Sequence, residues 1–566
     1  MCLCNLALPL IQNLRRSIIP KDQRMNPIKL VVIFIFSLGL MACGSSSEKL
    51  VVTPPASVLT MAFTADKTFH FTWPAATSAM YYELYEATTV GAGFTLIKST
   101  ALLEFDHVVP LYARLNAKYM LKSCSASACS SSKAIFTSTK LAAMTSSIGL
   151  KRATTPVAGH MFGYSVSLSS DGSTLAVGAQ QATVDNVTKV GEVTIFKQSV
   201  LGTDWVYQQT IRAFDGAQDD EFGSAISLSA DGNVLAVSAS LEDSKKGSVY
   251  VFTRTGASFA TVNTDVGYIQ AGDKADDDFF GTSVSLSADG GTLAVGQFDD
   301  NNAAHTGAVY VFTGSGDAWT QQNKLVASNA EGNDKFGVSI SLSSDGNILA
   351  IGAPGEDEPI DAGAVYVFTR TDAVWNEKKI LSASNAQQGD NFGYSLSLSD
   401  DGASLAVGAY LEDSTSTTIN VKGTDTVDFT SGAVYVFTGS GATWTENAYL
   451  KADNAAQNDV FGWGVSLNSD GTVLAVGAPG EDSVSTEMNN AGTDTDDFNS
   501  GAVYVFTGSG ATWAQQAYLK ASNPGSNDNV GVHLSLSGDG TVLAVGVPDE
   551  DGAENGTTDS GAVYLY

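Results

Sequence analysis

Basic side chains are scarce in this chain. Its 566 residues include 30 Lys and Arg against 60 Asp and Glu, a formal net charge of -30, and no run of basic residues occurs. Because nothing in such a chain could neutralise a row of phosphates, nucleic acid is excluded as a partner. Charged residues make up only 16% of the chain, below the roughly 25% usual in globular proteins. Glycine, with 56 residues, is abundant, which is typical of many short strands joined by tight turns.

The usual sequence signatures of catalysis are also missing. The chain has five histidines, no two of them close in sequence: His70, His107, His160, His305 and His533. No Ser-centred elbow, phosphate loop or paired Cys/His metal spacing occurs. We therefore expect that the chain is not an enzyme.

The first 42 residues are interpreted as a signal peptide, and Met25 is interpreted as the true start of the protein. Lys29 gives a positive region, Leu30 to Leu40 is apolar, and Leu40-Met41-Ala42-Cys43 follows. An apolar stretch this short is a signal segment and would not span a bilayer. The ending resembles the lipobox of bacterial lipoproteins, which implies lipidation of Cys43, a tether over 43–52, and a location in the cell envelope at the outer membrane. The alternative is a plain secretory signal.

Residues 53–140 contain three runs of alternating, aromatic-rich sequence: Phe69–Trp73, Tyr81–Glu86 and Tyr119–Cys124. Alternation of this kind predicts half-buried strands. The runs resemble a fibronectin type III domain, a small β-sandwich, which implies that Trp73 is a core residue and that Tyr119 lies near the tyrosine corner. Cys124 and Cys129, in a compartment that permits disulfides, fit a bridge across a hairpin tip.

From 147 to 566 the chain repeats one phrase, Phe-Gly-x-Ser-Val-Ser-Leu-Ser-x-Asp-Gly, followed by Leu-Ala-Val-Gly-Ala and Gly-Ala-Val-Tyr-Val-Phe. Repeats decide the fold before local patterns do. The alternation of bulky and small residues and the Asp-Gly turns predict four strands in each unit of about 60 residues. The fold class is therefore all-β, a seven-bladed β-propeller preceded by a small sandwich. The copies begin at Phe162, Phe222, Phe280, Phe336, Phe392, Phe461 and, in degenerate form, Val530.

The two ends of the repeat region predict a closed ring. Tyr566 ends the third strand of the last unit, and no fourth strand follows it. Residues Ile148–Ala153, before the first Phe-Gly, parallel the fourth strands of other units. We expect this N-terminal strand to complete the last blade and to cover edges that would otherwise invite aggregation.

The repeated phrases resemble FG-GAP repeats, the blades of the integrin alpha-chain propeller and of many bacterial surface proteins. The resemblance covers about 420 residues and implies a ligand-binding propeller, often associated with adhesion. It fails at the calcium loops of integrin blades, because each Ser-x-Asp-Gly hairpin here offers one carboxylate and calcium needs six to eight oxygens. These aspartates are interpreted as turn residues.

Acidic residues concentrate in the loops after the second strands. Because strands of a meander alternate in direction, these loops should share one face of the ring with the loops after the fourth strands. This acidic face is the predicted ligand-binding face; the alternative is that its acids merely solvate loops. The predicted binding residues are Glu242, Asp243, Glu356, Asp357, Glu412, Asp413, Glu481, Asp482, Glu550 and Asp551.

Two long insertions in these loops hold the candidate calcium ligands. Calcium would relieve the repulsion of like charges around the ring, although neither insertion has EF-hand spacing. The candidates are Asp425, Asp428, Asp494, Asp496 and Asp497.

The leading functional hypothesis is a cell-surface lipoprotein that binds a protein or a glycan through the acidic face, with calcium assisting. One alternative is a polysaccharide lyase or glycoside hydrolase, and another is a scaffold subunit of an envelope complex. Exposed Trp or Tyr on the acidic face would favour glycan binding. A deep axial pocket in which carboxylates that differ from one another converge would favour catalysis. A flat face would favour scaffolding. The blades look too alike to provide blade-specific aromatic residues.

Overall fold

The computed structural model describes residues 51–566 apart from 65–66, 90, 154, 200–203, 261–265, 300–305, 357–361, 424–428, 484, 491–498 and 552–557. The signal segment and Cys43 lie outside the described residues. Within the described residues nearly all regular structure is β-strand. None of the described helices is long and apolar enough to cross a membrane.

Two antiparallel sheets form from the N-terminal strands, in the orders β1-β2-β5 and β4-β3-β6-β7, with β8 also paired to β6. The three aromatic runs predicted as strands are β2, β3 and β6. Their inward residues pack in one core, in which Trp73 and Tyr119 are buried. The elements are β1 (Thr60–Thr64), β2 (Thr68–Thr72), β3 (Tyr81–Ala87), β4 (Thr95–Thr100), β5 (Glu104–Val108), a 3-10 turn (Leu111–Arg114), β6 (Lys118–Cys124), β7 (Cys129–Ser131) and β8 (Ile135–Phe136).

Seven further antiparallel sheets follow within the described residues, and we number them I to VII in chain order. Sheets I and III to VI are each four consecutive strands, and sheet II has a divided outer strand in which β17 and β18 both pair with β16. The repeated Leu-Ala-Val-Gly-Ala segments are the buried second strands. This is a propeller-like arrangement of repeated four-stranded sheets.

The strands of sheets I to III are β10 (Ser165–Leu168), β11 (Thr174–Ala179), β12 (Glu192–Gln198), β13 (Trp205–Ile211), β14 (Ile226–Leu228), β15 (Val234–Ala239), β16 (Ser248–Thr255), β17 (Ser258–Phe259), β18 (Val266–Ile269), β19 (Phe280–Leu286), β20 (Thr292–Gln297), β21 (Ala308–Ser315) and β22 (Ala318–Leu325). Those of sheets IV to VI are β23 (Ser339–Leu342), β24 (Ile348–Ala353), β25 (Ala364–Thr371), β26 (Val374–Leu381), β27 (Ser395–Leu398), β28 (Ser404–Ala409), β29 (Ala433–Ser440), β30 (Thr443–Leu450), β31 (Val465–Leu467), β32 (Val473–Ala478), β33 (Ala502–Ser509) and β34 (Thr512–Leu519).

Sheet VII combines the two ends of the repeat region. Its strand order is β35-β36-β37-β9, so the strand that precedes sheet I in sequence is the outer strand here. In the β37–β9 pair, Tyr564 lies opposite Leu150. The strands are β9 (Gly149–Lys151), β35 (His533–Leu536), β36 (Leu543–Val547) and β37 (Ala562–Leu565), and the short helical elements are Thr137–Thr139, α1 (Leu141–Met144), Thr145–Ser147 and α2 (Glu242–Lys245).

The innermost strands are held to one another by serine side chains. The Leu228 backbone N–H of sheet II donates to Ser167 Oγ of sheet I at 3.0 Å, and the Leu168 N–H donates to Ser535 Oγ of sheet VII at 2.9 Å. The same bond joins each of the other neighbouring pairs of sheets. An innermost strand has no further strand to pair with, and these bonds satisfy backbone donors that would otherwise be buried without an acceptor.

A second set of hydrogen bonds joins neighbouring sheets through the backbone of the residue that precedes each Asp-Gly. Ala230 N–H donates to Ala288 O at 3.0 Å, and the pattern continues from sheet to sheet until Gly538 N–H donates to Ser170 O at 2.8 Å. The next residue of sheet I, Asp171, donates to Ala230 O at 3.4 Å. These backbone bonds form a cycle around the axis at the end where the Asp-Gly hairpins lie.

The N-terminal sheets pack directly on the last repeat sheets. One buried apolar cluster contains Tyr119 of β6, Met144 of α1, Leu519 of β34 and Tyr566. The Tyr566 hydroxyl donates to Lys520 O at 2.7 Å. Residues Val52–Tyr566 accordingly form one compact unit.

Candidate functional site

The loops that follow the second and fourth strands of sheets I to VII lie on one side of the ring, which we call the loop face. The Asp-Gly hairpins and the turns between third and fourth strands lie on the other side, the hairpin face. Those predicted binding residues that the structure describes lie on loop-face segments.

The glutamates of this set are not exposed. Glu412 is 1% exposed and accepts hydrogen bonds from Tyr449 Oη at 2.8 Å and Lys451 Nζ at 3.1 Å. Asn385, in the loop before sheet V, donates to the same carboxylate at 3.1 Å and accepts from Tyr435 Oη at 2.8 Å. The glutamate therefore joins its own sheet to the preceding loop.

Equivalent contacts recur at the other predicted glutamates. Glu481 accepts from Tyr518 and Lys520, Glu550 accepts from Tyr564 and Arg152, and the remaining two each accept from a tyrosine of the third strand. These glutamates are buried, because tyrosine side chains, and at three of the five a lysine or arginine as well, donate hydrogen bonds that hold the carboxylates inside the fold. Ligand binding by this face stays a prediction. The buried glutamates are Glu242, Glu356, Glu412, Glu481 and Glu550.

The aspartates that follow these glutamates behave differently. Asp243 is exposed and pairs with Lys246 at 3.0 Å. Asp413 and Asp482 are half-buried and accept the backbone N–H groups of Thr430 at 2.9 Å and Asn499 at 2.7 Å, which fixes the ends of the long insertions. Asp551 accepts from the backbone of 559, and Asp357 lies outside the described residues.

Acids just before the Phe-Gly motifs are also buried. Asp528 accepts the Gly525 N–H at 2.6 Å, and Asp220 and Asp278 accept backbone N–H groups three residues earlier in the same way. Burial, together with the nearby carboxylate of Glu550, raises the pKa of Asp528 to about 7 against that hydrogen bond. Most of the predicted acidity of the loop face thus belongs to its internal framework.

The candidate calcium ligands Asp425, Asp428, Asp494, Asp496 and Asp497 lie outside the described residues. Within the described residues, the cluster with metal-ligand geometry is Glu83 with Cys124 and Cys129. These two sulfurs are joined to each other in a disulfide at 2.08 Å, so they are not available as thiolate ligands.

The Asp-Gly hairpins have the geometry of turns. Asp345 accepts hydrogen bonds from Ser343 Oγ at 2.7 Å and from the Asn347 N–H at 2.9 Å. Burial raises the pKa of Asp345, but these hydrogen bonds outweigh it and the net pKa is lowered. The carboxylate is occupied by its own turn, as the one-carboxylate argument predicts.

A cavity opens on the axis at the loop-face end. Its deeper part, of about 380 Å³, is lined by the first residues of the innermost strands of all seven sheets. Its mouth, of about 520 Å³, lies between sheets V, VI, VII and I. Both volumes are in the range of small-ligand pockets. The axial cavity continues toward the hairpin face as a narrower channel. There a smaller cavity of about 150 Å³ lies beside the cycle of backbone hydrogen bonds.

Aromatic side chains cluster on one side of this cavity. Trp463 lies 5.0 Å from Tyr394 and 4.8 Å from Tyr410, measured between ring centroids. Across the mouth, Tyr164 lies 5.1 Å from His533. These separations are those of aromatic pairs that attract one another. All five side chains are half-buried.

Polar groups border the aromatic cluster. Asn458, Asn499 and Asn529 line the mouth together with Asp549, and Asn529 Nδ2 donates to Asp549 at 3.0 Å. Burial raises the pKa of Asp549 and lowers the pKa of His533 to about 4, so the imidazole is neutral at pH 7.

The aromatic cluster was missed by the sequence analysis, although a signal for it exists. The residue after Phe-Gly varies while the rest of the phrase is nearly constant. It is aromatic in sheets I, V and VI and small or aliphatic in sheets II, III, IV and VII: Tyr164, Ser224, Thr282, Val338, Tyr394, Trp463 and Val532. The repeats therefore do differ, at a position that opens onto the axial cavity.

Repeated sheets joined around an axial cavity define a propeller-like protein with a ligand-sized opening on its loop face. The chain belongs to the FG-GAP repeat family. Six matched segments each run from the fourth strand of one sheet to the third strand of the next and together cover more than half of the chain: 205–252, 264–312, 319–368, 375–437, 444–506 and 513–566. No curated protein matches the chain.

Three solved structures are similar to the chain at low identity. The periplasmic gluconolactonase of Pseudomonas aeruginosa is 15% identical, covering 79% of this chain and 98% of its own, with a TM-score of 0.40. The structure named FN3tt is 18% identical over 14% of this chain and 98% of its own, with a TM-score of 0.11. A Ca²⁺-stabilised adhesin of an ice-binding Antarctic bacterium is 9% identical over 82% of this chain and 99% of its own, with a TM-score of 0.13.

The first of these similarities contradicts the expectation that the chain is not an enzyme. The similar structure is that of a gluconolactonase, which is an enzyme. At such low identity and TM-score, the similarity assigns no activity or ligand to this chain.

Proposed function

We propose that this chain is a lipid-anchored binding protein of the bacterial cell envelope, located at the outer membrane, that takes a protein or glycan ligand on its loop face. In this proposal residues 1–42 are a signal peptide, Cys43 carries the lipid, and 43–52 are the tether. Residues 53–140 are a fibronectin type III-like sandwich, and 147–566 are a seven-bladed propeller closed by the strand before the first repeat.

The observation that carries the proposal is the aromatic-lined cavity on the axis. Aromatic side chains that are only half-buried at a ligand-sized opening are expected at binding sites, because they offer large apolar faces together with polar edges. The cavity lies on the face that bears the long insertions. An aromatic face of this kind also favours a binding role over that of a flat scaffold subunit.

The buried carboxylate network supports the same proposal. Tyr-Glu contacts and the Lys-Glu pairs fix the loops that surround the mouth, as at Glu412 and Glu481. A binding site held by a rigid frame loses little conformational entropy when a ligand enters, so more of the contact energy appears as affinity.

The test is binding of the purified full chain to envelope preparations after one face has been blocked. Ser526, on the loop face, and Ser440, on the hairpin face, are both exposed serines. Ser526→Cys and Ser440→Cys, each coupled to a bulky polyethylene glycol maleimide, form a matched pair. We expect the polymer at 526 to abolish envelope binding and the polymer at 440 to leave it unchanged.

Equal binding by the two coupled variants, or no binding by the uncoupled chain, would overturn the proposal. Adding a chelator shows whether calcium assists. Protease treatment of the envelope separates a protein ligand from a glycan ligand. Soluble sugar released during the incubation would indicate cleavage in place of simple binding.

A further inference from the structure

The aromatic side chains that line the axial cavity are confined to one arc of the ring. Sheets V, VI, VII and I are consecutive around the axis, and they contribute Tyr394, Trp463, His533 and Tyr164 to the lining of the mouth. At the position of Tyr164, Tyr394 and Trp463, directly after Phe-Gly, sheets II, III and IV hold Ser224, Thr282 and Val338. The cavity therefore has an aromatic wall and an opposite wall of small side chains.

Trp463 differs from three of the tryptophans on the repeated outer strands. The indole N–H groups of Trp319, Trp444 and Trp513 each donate to a turn carbonyl at 3.0 to 3.2 Å. Among the described residues, the structure gives Trp463 Nε1 no hydrogen-bond acceptor, although its ring packs against two tyrosines. The Nε1 atoms of Trp205 and Trp375, also on outer strands, have no partner either, but they are buried. Trp463 instead is half-buried and lines the mouth of the cavity.

Electrostatics at the mouth disfavour an anionic ligand. Asp549 lines it, and burial, together with the nearby carboxylates of Glu221 and Asp549, raises the pKa of the Tyr164 hydroxyl. The chain as a whole carries a net charge of -30. No Lys or Arg lines either part of the cavity in the described residues. A negatively charged ligand would meet repulsion with no cation to offset it.

We propose that the loop-face end of the channel binds one or two rings of a neutral saccharide, stacked on Trp463 and Tyr394 and hydrogen-bonded by the side chains at its border. This inference rests on the proposed function and names the ligand class of that same face. A sugar ring presents an apolar C–H face and a rim of hydroxyls, which the aromatic wall and the groups at Asn458, Asn529 and Asp549 complement. The volume of the mouth suits a ligand of that size.

The proposal is tested with a panel of neutral methyl glycosides titrated into the full chain, purified without glycosidic detergent. Calorimetry and saturation-transfer NMR measure binding. We expect at least one glycoside to bind, and Trp463→Ala and Tyr394→Ala each to weaken it about tenfold or more, which is the loss of roughly 1.4 kcal/mol expected for a stacking contact.

Two further variants make the result specific. Trp463→Phe keeps an aromatic face and should retain most of the affinity. Tyr207→Ala removes a tyrosine that is 48% exposed on the outer strand of sheet I, away from the axis, and should not change it. Thermal unfolding of each variant shows that the fold is intact.

Binding that is insensitive to Trp463→Ala would overturn the proposal. The proposal would also be overturned if the chain bound no glycoside but still bound envelope preparations through its loop face. The ligand would then be a protein, and the proposed function would stand. If the chain binds neither glycosides nor envelope, both proposals fail.

Discussion

At the scale of single residues, the acidic side chains of the loop face are mostly part of its framework. Lys451 is buried with 0% of its side chain exposed, and its ammonium donates to Glu412, to Ser431 Oγ at 2.5 Å and to Gly432 O at 2.6 Å. An ion pair withdrawn from water is stable only when its remaining donors and acceptors are also paired. Here the lysine satisfies carbonyl groups of the insertion as well as the carboxylate.

Lys451→Met tests this role. The substitution leaves Glu412 buried without its cation, so the free energy of unfolding should fall by about 3–5 kcal/mol. Lys422→Met is the control, because Lys422 is 36% exposed in its pair with Glu446 and should cost no more than about 1 kcal/mol. Urea denaturation of both variants measures the difference, and equal losses would show that Glu412 is not held by its charge partner.

At the scale of elements, the serines of the repeated phrase supply hydrogen-bond acceptors to the innermost strands, which have no further strand to pair with. Each Ser-x-Ser-Leu segment supplies one Oγ to the leucine N–H of the next sheet, as Ser397 does for Leu467 at 2.9 Å. A bulky side chain at this position would separate the strands, and an apolar one would leave the leucine donor unpaired. The constancy of the phrase is therefore a requirement of strand packing.

The strand β9 closes the repeat region, and its removal should be costly. Deleting 147–153 exposes the edge of β37, removes Ile148 from the core and leaves Glu550 without Arg152. We expect a lower melting temperature and aggregation, measured by calorimetry and light scattering. A variant with residues 148–151 replaced by Gly and Ser keeps the chain length and should behave in the same way.

Adding the peptide 145–153 in trans should restore part of the lost melting temperature by re-forming the β37–β9 pair. An unchanged melting temperature in both variants would mean that strand closure contributes nothing to stability.

The sequence predicted the repeated sheets, the strand β9 and the turn role of the Asp-Gly hairpins, because each follows from local periodicity and from one phrase repeated along the chain. It did not predict the burial of residues such as Glu356, which depends on hydrogen bonds from Tyr366 and Asn329 on other segments of the chain. It also passed over Trp463, because an aromatic residue near a strand end is more often a core residue. Only the ring brings Trp463 together with Tyr394 and Tyr164.

At the scale of the whole molecule, the repeated sheets of the described residues surround an axial cavity that opens on the loop face. The N-terminal sheets share a core with sheets VI and VII, so they are not a loosely tethered spacer. The fixed loop framework surrounds an aromatic cavity whose asymmetry comes from a few positions in otherwise similar repeats. The ligand is expected to enter at that cavity.

Envelope binding by the full chain carrying Trp463→Ala tests this claim most directly. The substitution should lower the affinity for envelope preparations about tenfold or more, whereas the control Tyr207→Ala should bind as the unmodified chain does. Envelope binding by Trp463→Ala that equals that of the unmodified chain would show that the ligand does not enter at the axial cavity.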